Sequence, residues 1–532
     1  MYDSPARRAL ARWLVPAVVA GATLACSPEP PVPANTITGP YASLLAASED
    51  LGDAREDRVE LTAALRDDTQ PRALIAWARQ HRLEVRWRPG DRWAIIQGDP
   101  AATGAAFDVA VHDYRGRLGQ VFYAAAQQPA VPAELRSEVA EFGRILGYTP
   151  HHESGPFIAP LDVPNRALSP QALLRTYNVE PLRREGFTGK GVTVLVFAFD
   201  GFDQSDLDLF TREFGLPPLV PELLGPMAAE RSGEATMDLE AIHAIAPDAK
   251  TVLVNARPTV EGDGSYRKVA EMMEEADRRY PGAVWSFSIG WGCDALITAA
   301  DLAPVRGALA AAHRHGTTAF NASGDLAGLE CKGGHNWSSP PGPGDIGLDA
   351  VASLPEMTDV GGTRLSTDAD GGWLAEQSWF DPVLSQGTGG GVSALFDRPP
   401  WQSGLALAAP ARRLTPDIAG LSDPFTGMRI YFKGQMLIGG GTSLAAPLWA
   451  GMAAVINQYL SANGGGPIGE LNPMLYEIAE GARLPAFHDV VLGGNAVDDA
   501  GPGYDLATGL GTPNADNLAR DLLAVQRRIG LR

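Results

Sequence analysis

Short apolar runs alternate with helical segments through the middle of this chain. The run Gly191–Phe199 is followed by Thr251–Asn255, Ala283–Ile289 and Thr317–Asn321, with helical sequence such as Leu302–His315 between them. Strands that are apolar at every position are buried on both faces, and parallel strands joined by helical crossovers bury them in this way. The alternation therefore predicts an α/β domain with a mostly parallel sheet that helices cover on both faces.

A smaller unit of different character precedes this domain, over residues 51–149. Its short strands and helices are predicted from the periodicity at Val59–Leu65, Pro71–His81, Leu83–Arg88, Arg92–Gln97, Pro100–Phe107 and Val109–Tyr114. This order predicts a compact α+β unit. Residues 27–50 before it and 150–167 after it are rich in proline and polar residues, so both are predicted to be linkers, the second one open to proteolysis.

Residues 1–26 have the features of an export signal. Arg7, Arg8 and Arg12 precede the apolar stretch Leu14–Ala25, which is too short to span a bilayer. Cys26 follows at once, as in the signal of a bacterial lipoprotein, and the sequence is compatible with a lipid on Cys26 or with plain secretion. We expect a secreted or extracytoplasmic protein that meets a membrane only through such a lipid.

Charge and cysteine content exclude two classes of protein. The 43 Lys and Arg residues oppose 63 Asp and Glu residues, which gives a net charge of −20. Nucleic-acid binding needs clustered basic residues, so nucleic acid is not an expected partner. Three cysteines are too few for a disulfide-dense scaffold. Away from the export signal, Cys293 and Cys331 either form one disulfide bond or remain free thiols.

A serine follows a glycine-rich turn in the segment Ile438–Pro447 (IGGGTSLAAP). Ser443 begins a long apolar helical segment that runs to about Leu460. Glycines let a backbone approach a substrate closely, and a helix N-terminus favours negative charge that develops there. Such a serine is either a nucleophile or an ordinary helix N-cap. The string of glycines before it, and the small residues and proline after it, favour the nucleophile.

A serine nucleophile needs a base, which is usually histidine. None of the nine histidines has a setting typical of a catalytic one, and His243 falls on the opposite face of its predicted helix from Glu234. Glu234 and Asp238 are four positions apart, so a helix stacks their carboxylates on one face. Two like charges this close share a proton, which makes a base usable at low pH. The alternative is an ordinary solvated, acidic helix end.

Taken together, the motifs resemble those of the sedolisins, serine-carboxyl peptidases that are related to subtilisins but have a glutamate in place of the catalytic histidine. The motifs occur in the family's order between Leu168 and about Leu518, at Glu234–Asp238, Ala246–Ala249, Ala322–Asp325, Gly361–Thr363, Gly389–Ser393, Pro399–Gln402 and Gly440–Pro447. The resemblance implies a subtilisin-like peptidase domain over residues 168–532. It also implies a ferredoxin-like activation propeptide over 51–149, with a processing site in 150–167.

By this resemblance Ser443 is the nucleophile, Glu234 takes its proton, Asp238 holds and polarises Glu234, and Asp325 is the aspartate of the oxyanion hole. A carboxylic acid donates a hydrogen bond to an oxyanion only while it is protonated, so acid conditions would suit such a site. From its own setting alone, Asp325 is better explained as a turn aspartate after a glycine.

Two segments near the C-terminus resemble the sedolisin calcium site. The resemblance implies one structural Ca²⁺ held by the carboxylates of Asp489 and Asp505 and by the backbone carbonyls of Val490, Gly501 and Gly503. A set made only of oxygen ligands suits calcium, and the glycines let the loop turn its carbonyls inward. The alternative is an ordinary loop rich in glycine and aspartate.

The sequence thus predicts an exported, acid-acting serine endopeptidase, or a tripeptidyl-type peptidase, made as a zymogen. Its substrates would be proteins or peptides, its own propeptide would act as inhibitor and folding aid, and we expect a monomer. One alternative is a subtilisin-type protease, in which Asp200 after its strand would be the catalytic aspartate. Another is a cell-surface lipoprotein that keeps the fold for binding and has lost catalysis.

Overall fold

The computed structural model describes residues 35–116, 119–149, 152–153, 167–261, 265–332, 342–368, 370–382, 386–405, 407, 409–481 and 483–530. The predicted export signal, Cys26, the start of the first linker and most of the second linker lie outside these residues. Among the helices of the described ranges, none combines the length and the apolar character needed to cross a membrane.

The first unit contains seven strands and three helices. The strands are β1 (Glu49–Asp53), β2 (Val59–Leu65), β3 (Glu84–Arg86), β4 (Trp93–Gly98), β5 (Val111–Arg115), β6 (Val121–Ala125) and β7 (Val139–Phe142). The helices are α1 (Pro40–Ala46), α2 (Arg72–Gln80) and α3 (Pro100–Phe107), and a 3₁₀ turn spans Ala133–Leu135. Each element predicted from the periodicity of this unit is present within a few residues of its expected bounds.

Two antiparallel sheets organise this unit. One has the order β3-β4-β2-β7 and the other β1-β5-β6. The chain order β2-α2-β3-β4-α3-β5 is the ferredoxin-like order, but the edge position beside β2 is taken by β7, and β5 pairs with β1 and β6 instead. The ferredoxin-like prediction therefore holds for three strands of the first sheet and needs correction at its edge.

The first predicted linker, residues 27–50, is wrong in its C-terminal part. Residues Pro40–Ala46 form α1, and β1 begins at Glu49. Proline is favoured in the first turn of a helix, so Pro40 starts α1 and does not prevent it. Tyr41 and Leu45 are buried against the larger domain. Tertiary burial thus orders a segment that composition alone predicts to be extended.

Strands and helices alternate through the rest of the chain. The strands are β8 (His152–Glu153), β9 (Thr193–Ala198), β10 (Glu222–Leu224), β11 (Lys250–Asn255), β12 (Val284–Phe287), β13 (Ile289–Gly290), β14 (Thr318–Ala322), β15 (Thr358–Thr367), β16 (Trp373–Ser378), β17 (Phe380–Asp381), β18 (Gln386–Gly387), β19 (Gly391–Asp397), β20 (Arg412–Thr415), β21 (Ile418–Leu421), β22 (Met428–Phe432), β23 (Gln435–Gly439), β24 (Phe487–His488) and β25 (Thr512–Pro513). The helices are α4 (Pro170–Thr176), α5 (Glu180–Arg184), α6 (Gln204–Phe214), α7 (Glu234–Ile245), α8 (Ser265–Arg279), α9 (Ala303–Arg314), α10 (Thr442–Ala462), α11 (Asn472–Gly481) and α12 (Ala515–Ile529).

The central sheet has eight strands and confirms the predicted fold class. Its order is β10-β11-β9-β12-β14-β15-β16, with β21 also paired to β15. All neighbours are parallel except β15 and β16. Side chains of β9 alternate between two cores: Val194 and Val196 face α7 and α10, whereas Leu195 and Phe197 face α8 and α9. This two-sided burial explains why the strands are continuously apolar.

The first unit packs against the α8 and α9 face of the large domain. Its Tyr41 and Phe122 belong to the same apolar core as residues of those two helices. At the edge of this contact, the Arg88 guanidinium lies 2.6 Å from Glu274, and the backbone N–H of Arg144 donates to the carboxylate of Asp301 at 3.0 Å. The two units are therefore joined by apolar burial with polar contacts at its margin.

Candidate active site

Helix α10 presents Ser443 from its first turn. Gly441 caps the helix with a φ of 85°, in the region that favours glycine, and Thr442 and Ser443 follow directly. At Gly440 a Cβ atom would lie 2.8 Å from the Cα of Pro424, so the turn has no room for a side chain there. The glycines predicted to shape this turn are thus required by close backbone approach, and Ser443 is left only 2% exposed.

Glu234 is the first residue of α7 and faces Ser443. Its side chain is 3% exposed, and the Ser443 hydroxyl lies close enough to favour the ionised form of the carboxylate. Neither carboxylate oxygen, however, has a hydrogen bond of regular geometry with any described residue. A buried carboxylate without a fixed partner costs free energy, so this position is not explained by stability.

Asp238 lies one turn further along α7 and is fully buried. Its Oδ1 accepts a hydrogen bond at 3.0 Å from the hydroxyl of Ser288, while its Oδ2 has no partner among the described residues. The same Ser288 hydroxyl lies 3.1 Å from the backbone carbonyl oxygen of Ser443. Ser288 therefore connects the second acid of the pair to the backbone of the serine.

The electrostatics of the pair favour protonation. Burial is the main cause that raises the pKa of Glu234, and the negative charges of Asp238, Asp200 and Asp325 raise it further. Burial likewise raises the pKa of Asp238, while the Ser288 hydrogen bond opposes this shift. Two coupled carboxylates in such a site hold a shared proton in acid, and the group left ionised can act as a base.

Asp325 follows β14 and reaches the start of α10. Its Oδ1 accepts hydrogen bonds at 2.8 Å from both the backbone N–H and the hydroxyl of Thr442. Its Oδ2 is directed at Gly441, where a Cβ atom would come within 2.7 Å. One oxygen thus anchors the loop to the helix, and the other lies beside the backbone that precedes Ser443.

No described histidine shares a hydrogen bond with Ser443. His243 is buried, donates from Nε2 to the carbonyl oxygen of Pro217 at 2.8 Å, and has its pKa lowered by burial. His313 bonds through both ring nitrogens to backbone carbonyls. His151 and His335 lie outside the described residues. Within the described ranges, the site is therefore built from carboxylates and hydroxyls.

The structure brings together all four residues for which the sequence predicts a catalytic role, and it adds two that the sequence reasoning missed. Ser288 stands between β12 and β13, and Asp200 follows β9. Both lie at the carboxyl ends of parallel strands, where ligands and functional groups are found in α/β sheets. Their position after predicted strands could have identified them from the sequence. Asp200 was considered only as the aspartate of a subtilisin, but its carboxylate bonds to the backbone before α7.

The residues suggested for calcium belong to two segments, 489–490 and 501–505, which hydrogen bonds connect. The backbone N–H of Gly503 donates to Oδ2 of Asp489 at 2.9 Å, and the N–H of Gly501 donates to Oδ2 of Asp505 at 3.1 Å. These bonds hold both carboxylates against the backbone of residues 501–503. The donor set is made only of oxygen atoms, which fits a hard cation such as Ca²⁺.

Cys293 and Cys331 form a disulfide bond, so the hypothesis of a bond is favoured over that of two free thiols. Asp294, next to Cys293, is 1% exposed and accepts backbone hydrogen bonds from Leu348 and Ala394 at 3.3 and 2.8 Å. Burial raises the pKa of this carboxyl to about 6. The disulfide and Asp294 thus tie together the loops that follow β13 and precede β15.

Two bacterial proteins match most of the chain. Kumamolisin from Bacillus sp. (strain MN-32) is 29% identical over 461 residues, which is 81% of this chain and 78% of the relative. Sedolisin from Pseudomonas sp. (strain 101) is 27% identical over 470 residues, 84% of this chain and 77% of the relative. No protein-family model matches the chain.

A solved structure gives the same result. Pseudomonas sedolisin, described as a serine-carboxyl proteinase complexed with two molecules of pseudo-iodotyrostatin, has a TM-score of 0.56 and 26% identity. The match covers 69% of this chain and all of that chain (100%). Fold and relatives together support a peptidase whose mostly parallel sheet is similar to that of sedolisin. The chain is homologous to kumamolisin and sedolisin, as the resemblance of its motifs predicts, and these homologues are serine-carboxyl peptidases.

Proposed function

We propose that the protein is an exported serine endopeptidase that acts in acid. The alternative with the same chemistry is a tripeptidyl-peptidase. The observation that carries the proposal is that the Ser443 hydroxyl lies close to Glu234, a buried carboxylate that has no regular hydrogen-bond partner among the described residues. A hydroxyl next to a carboxylate that is held ready to accept a proton is the arrangement that nucleophilic catalysis requires.

The proposed reaction has two halves. Glu234, supported by Asp238, takes the proton from Ser443 as its Oγ attacks the carbonyl carbon of the scissile peptide bond. The proton then passes to the leaving amine, which departs and leaves an acyl-enzyme on Ser443. Water enters, gives a proton to Glu234 and attacks the ester, and the proton returns to Ser443 as the acid product leaves. Each half restores the proton that it borrows.

Asp325 would stabilise the tetrahedral intermediates. Its Oδ1 is occupied by Thr442, so Oδ2 is the atom that can carry a proton towards the substrate oxyanion. This donor exists only while the carboxyl is protonated, whereas Glu234 must be ionised to accept a proton. Burial raises the pKa of Glu234 and Asp238, so it also raises the pH below which the base is protonated. The proposed acid action therefore rests on the need for a protonated Asp325 donor and not on the raised pKa of the base.

The first unit would make this enzyme a zymogen. Strand β8, in the second linker, pairs antiparallel with β13, where Ile289 lies opposite Glu153 and Gly290 opposite His152. Strand β13 follows Ser288 directly, so the backbone of His152 and Glu153 pairs next to the site in the way that an extended peptide binds a sheet edge. This pairing supports a processing site within residues 150–167, at which the propeptide would be removed.

A structural calcium ion would close the C-terminal loop. Asp489 and Asp505 would supply carboxylate oxygens, and Val490, Gly501 and Gly503 would supply backbone carbonyls. The ion would neutralise two acidic side chains that this loop holds close to the same backbone segment. Its contribution would be to the stability of the loop and not to the reaction at Ser443.

A cleavage assay over a range of pH tests the proposed activity. A mixed peptide pool is incubated with the full chain, with Ser443→Ala and with Glu234→Gln, and the products are identified by mass spectrometry. Internal cleavage that peaks in acid and disappears in both variants is the expected result. Release of tripeptides alone would identify the exopeptidase variant. A peak near neutrality would favour the subtilisin-type alternative, and no cleavage by the processed protein would favour a protein that only binds.

A further inference from the structure

Asp200 occupies a position that the reaction above does not use. It follows β9, its side chain is 2% exposed, and it faces the N-terminus of α7. Its Oδ2 accepts hydrogen bonds from the backbone N–H of Ser232 at 3.0 Å, from the hydroxyl of Ser232 at 2.6 Å and from the N–H of Gly233 at 2.9 Å. Its Oδ1 accepts from the N–H of Ala235 at 3.0 Å.

The residues that donate these hydrogen bonds flank Glu234 along the chain. Ser232 and Gly233 precede it, Ala235 follows it, and all three are held by the same carboxylate. The first N–H groups of a helix lack partners within the helix, so they are normally capped by a nearby side chain. Here Gly233, with a φ of 104°, supplies no side-chain cap, and a residue from another strand does so. The backbone that carries Glu234 is thereby fixed to the central sheet.

The charge of Asp200 acts in the same place. The titratable groups that face Glu234 are Asp238 on its own helix, Asp200 after β9, Asp325 after β14 and the hydroxyl of Ser443 on α10. The negative charge of Asp200 raises the pKa of both Glu234 and Asp238. The nearby guanidinium of Arg231 is paired with Asp203 at 3.0 Å, which leaves Asp200 with its backbone and hydroxyl donors.

We infer that Asp200 is a positioning residue for the base of this enzyme: it fixes the backbone on both sides of Glu234 and places a second carboxylate beside it. The inference rests on the proposed role of Glu234 as the base. The hydrogen bonds of Asp200 within the described residues go to Ser232, Gly233 and Ala235 and not to Ser443 or Asp325, so we place its action on Glu234 and not on the substrate.

The test is Asp200→Asn in the full chain, with kcat and KM measured on a cleavable peptide across the acid range. The amide keeps the size of the side chain but removes the charge and turns one acceptor into a donor that faces N–H groups. We expect kcat to fall roughly ten- to a hundredfold with KM little changed, because the base is displaced. We also expect the acid limb of kcat/KM to move down by about half to one pH unit, because a like charge near the base is lost.

Asp206→Asn is the matched control. Asp206 is also 2% exposed and also accepts two backbone N–H bonds, from Lys433 and Gly434 at 2.8 Å, but it does not act on Glu234. Its variant should keep the wild-type acid limb. An acid limb that stays in place in folded Asp200→Asn, or moves equally in Asp206→Asn, overturns the inference.

A second variant covers the case in which Asp200→Asn does not fold. Ser232→Ala removes one hydrogen bond to Asp200 and leaves its charge, so kcat should fall severalfold with the acid limb unchanged. Wild-type kcat in Ser232→Ala would overturn the positioning role. The parent proposal fails separately: if Glu234→Gln keeps wild-type activity, Glu234 is not the base, whatever Asp200→Asn does.

Discussion

The same domain contains two fully buried carboxylate sites that are built in opposite ways. Asp417 is bonded on every side: it accepts from both terminal nitrogens of Arg413 at 2.8 and 2.6 Å, from the hydroxyl of Tyr476 at 2.8 Å and from the backbone N–H of Asp359 at 2.9 Å. Glu234 is equally hidden, yet it has no counter-ion and no regular hydrogen bond within the described ranges.

The difference in hydrogen-bond partners distinguishes a carboxylate with a structural role from one with a proposed chemical role. A buried charge that is fully paired holds neighbouring segments together, whereas removal of one partner leaves the other charge stranded. A buried acid without such partners lowers stability and is retained where its proton is needed. Both sites are dense in ionisable residues in the sequence, and only the three-dimensional arrangement of partners distinguishes them.

The largest expected effect is on activity. Glu234→Gln should lower kcat by at least about 10⁴-fold, because the amide cannot accept the proton of Ser443. Its free energy of unfolding should stay the same or rise near neutral pH, because a buried charge is removed. Peptide cleavage and urea denaturation measure the two quantities.

Glu240→Gln is the control for this variant. Glu240 lies on the same helix, is fully buried, and accepts the backbone N–H of Tyr431 at 2.9 Å. Its variant should cleave peptides at close to the wild-type rate. Equal losses of activity in the two variants would mean that α7 tolerates no neutral substitution, and the distinction drawn from Glu234 would fail.

The next effect is on stability at the other site. Asp417→Asn should lower the free energy of unfolding by about 3–5 kcal/mol, since Arg413 would stay buried without its counter-ion. Urea denaturation of the unprocessed Ser443→Ala chain measures this without interference from self-cleavage. Adding Arg413→Met should recover a large part of the loss, because the stranded charge is removed with its partner. A double variant no more stable than the single one would contradict the ion-pair explanation.

A third effect is on how stability depends on pH. Burial raises the pKa of Asp301 to about 6 and that of Asp349 to about 7. A carboxyl with a raised pKa binds its proton more tightly in the folded state, so its contribution is present below the pKa of the unfolded chain, near pH 4, and is lost as pH rises through about 6 to 7. Full-length Ser443→Ala should therefore unfold at a higher urea concentration at pH 4.5 than at pH 7.5.

Replacing one of these aspartates by asparagine tests whether it causes the pH dependence of stability. Asp349→Asn should reduce the difference between the two pH values, because one of the groups that titrates in this window is gone. If the difference is unchanged, other carboxyls carry the dependence. The catalytic pair, whose pKa values are also raised, then becomes the first candidate to examine with Glu234→Gln.

The smallest expected effect concerns calcium. Removing the ion with a chelator should lower the melting temperature by a few degrees, in line with a loss of about 1 kcal/mol or more. Asp489→Asn should melt at the lower temperature with or without added Ca²⁺. A wild-type chain whose melting temperature does not respond to Ca²⁺ would contradict the proposed site, and it would leave the comparison of the two carboxylate sites intact.

Much of the fold could be predicted from local pattern. Strand β2 has the predicted bounds Val59–Leu65, and the predicted helix Leu302–His315 is present as Ala303–Arg314. These elements have strong periodicity and clear ends. The order β3-β4-β2-β7 and helix α1 could not be predicted, because they depend on which distant surface covers an element. Tyr41 in α1, for example, is ordered by burial against another domain.

The residues of the site also differ in how far the sequence could predict them. Ser443, Glu234, Asp238 and Asp325 stand in motifs whose spacing and composition are unusual, and the structure places them together. Their roles in the reaction stay predictions. Ser288 and Asp200 have no such local signature, since a serine or an aspartate directly after a strand is common. Their hydrogen bonds cross 50 residues to Asp238 and 32 to Ser232, and no local pattern encodes contacts over that distance.

The pairing of β8 with β13 has a kinetic consequence. Because both strands belong to one chain, the concentration of the linker at the sheet edge is set by the tether and not by the amount of protein in solution. If the linker is cut in that position, the first cleavage is unimolecular, and its half-time is the same in a dilute secretion as in a concentrated one. The rate of the first cleavage would then depend on the conditions around each molecule, such as pH, and not on the protein concentration.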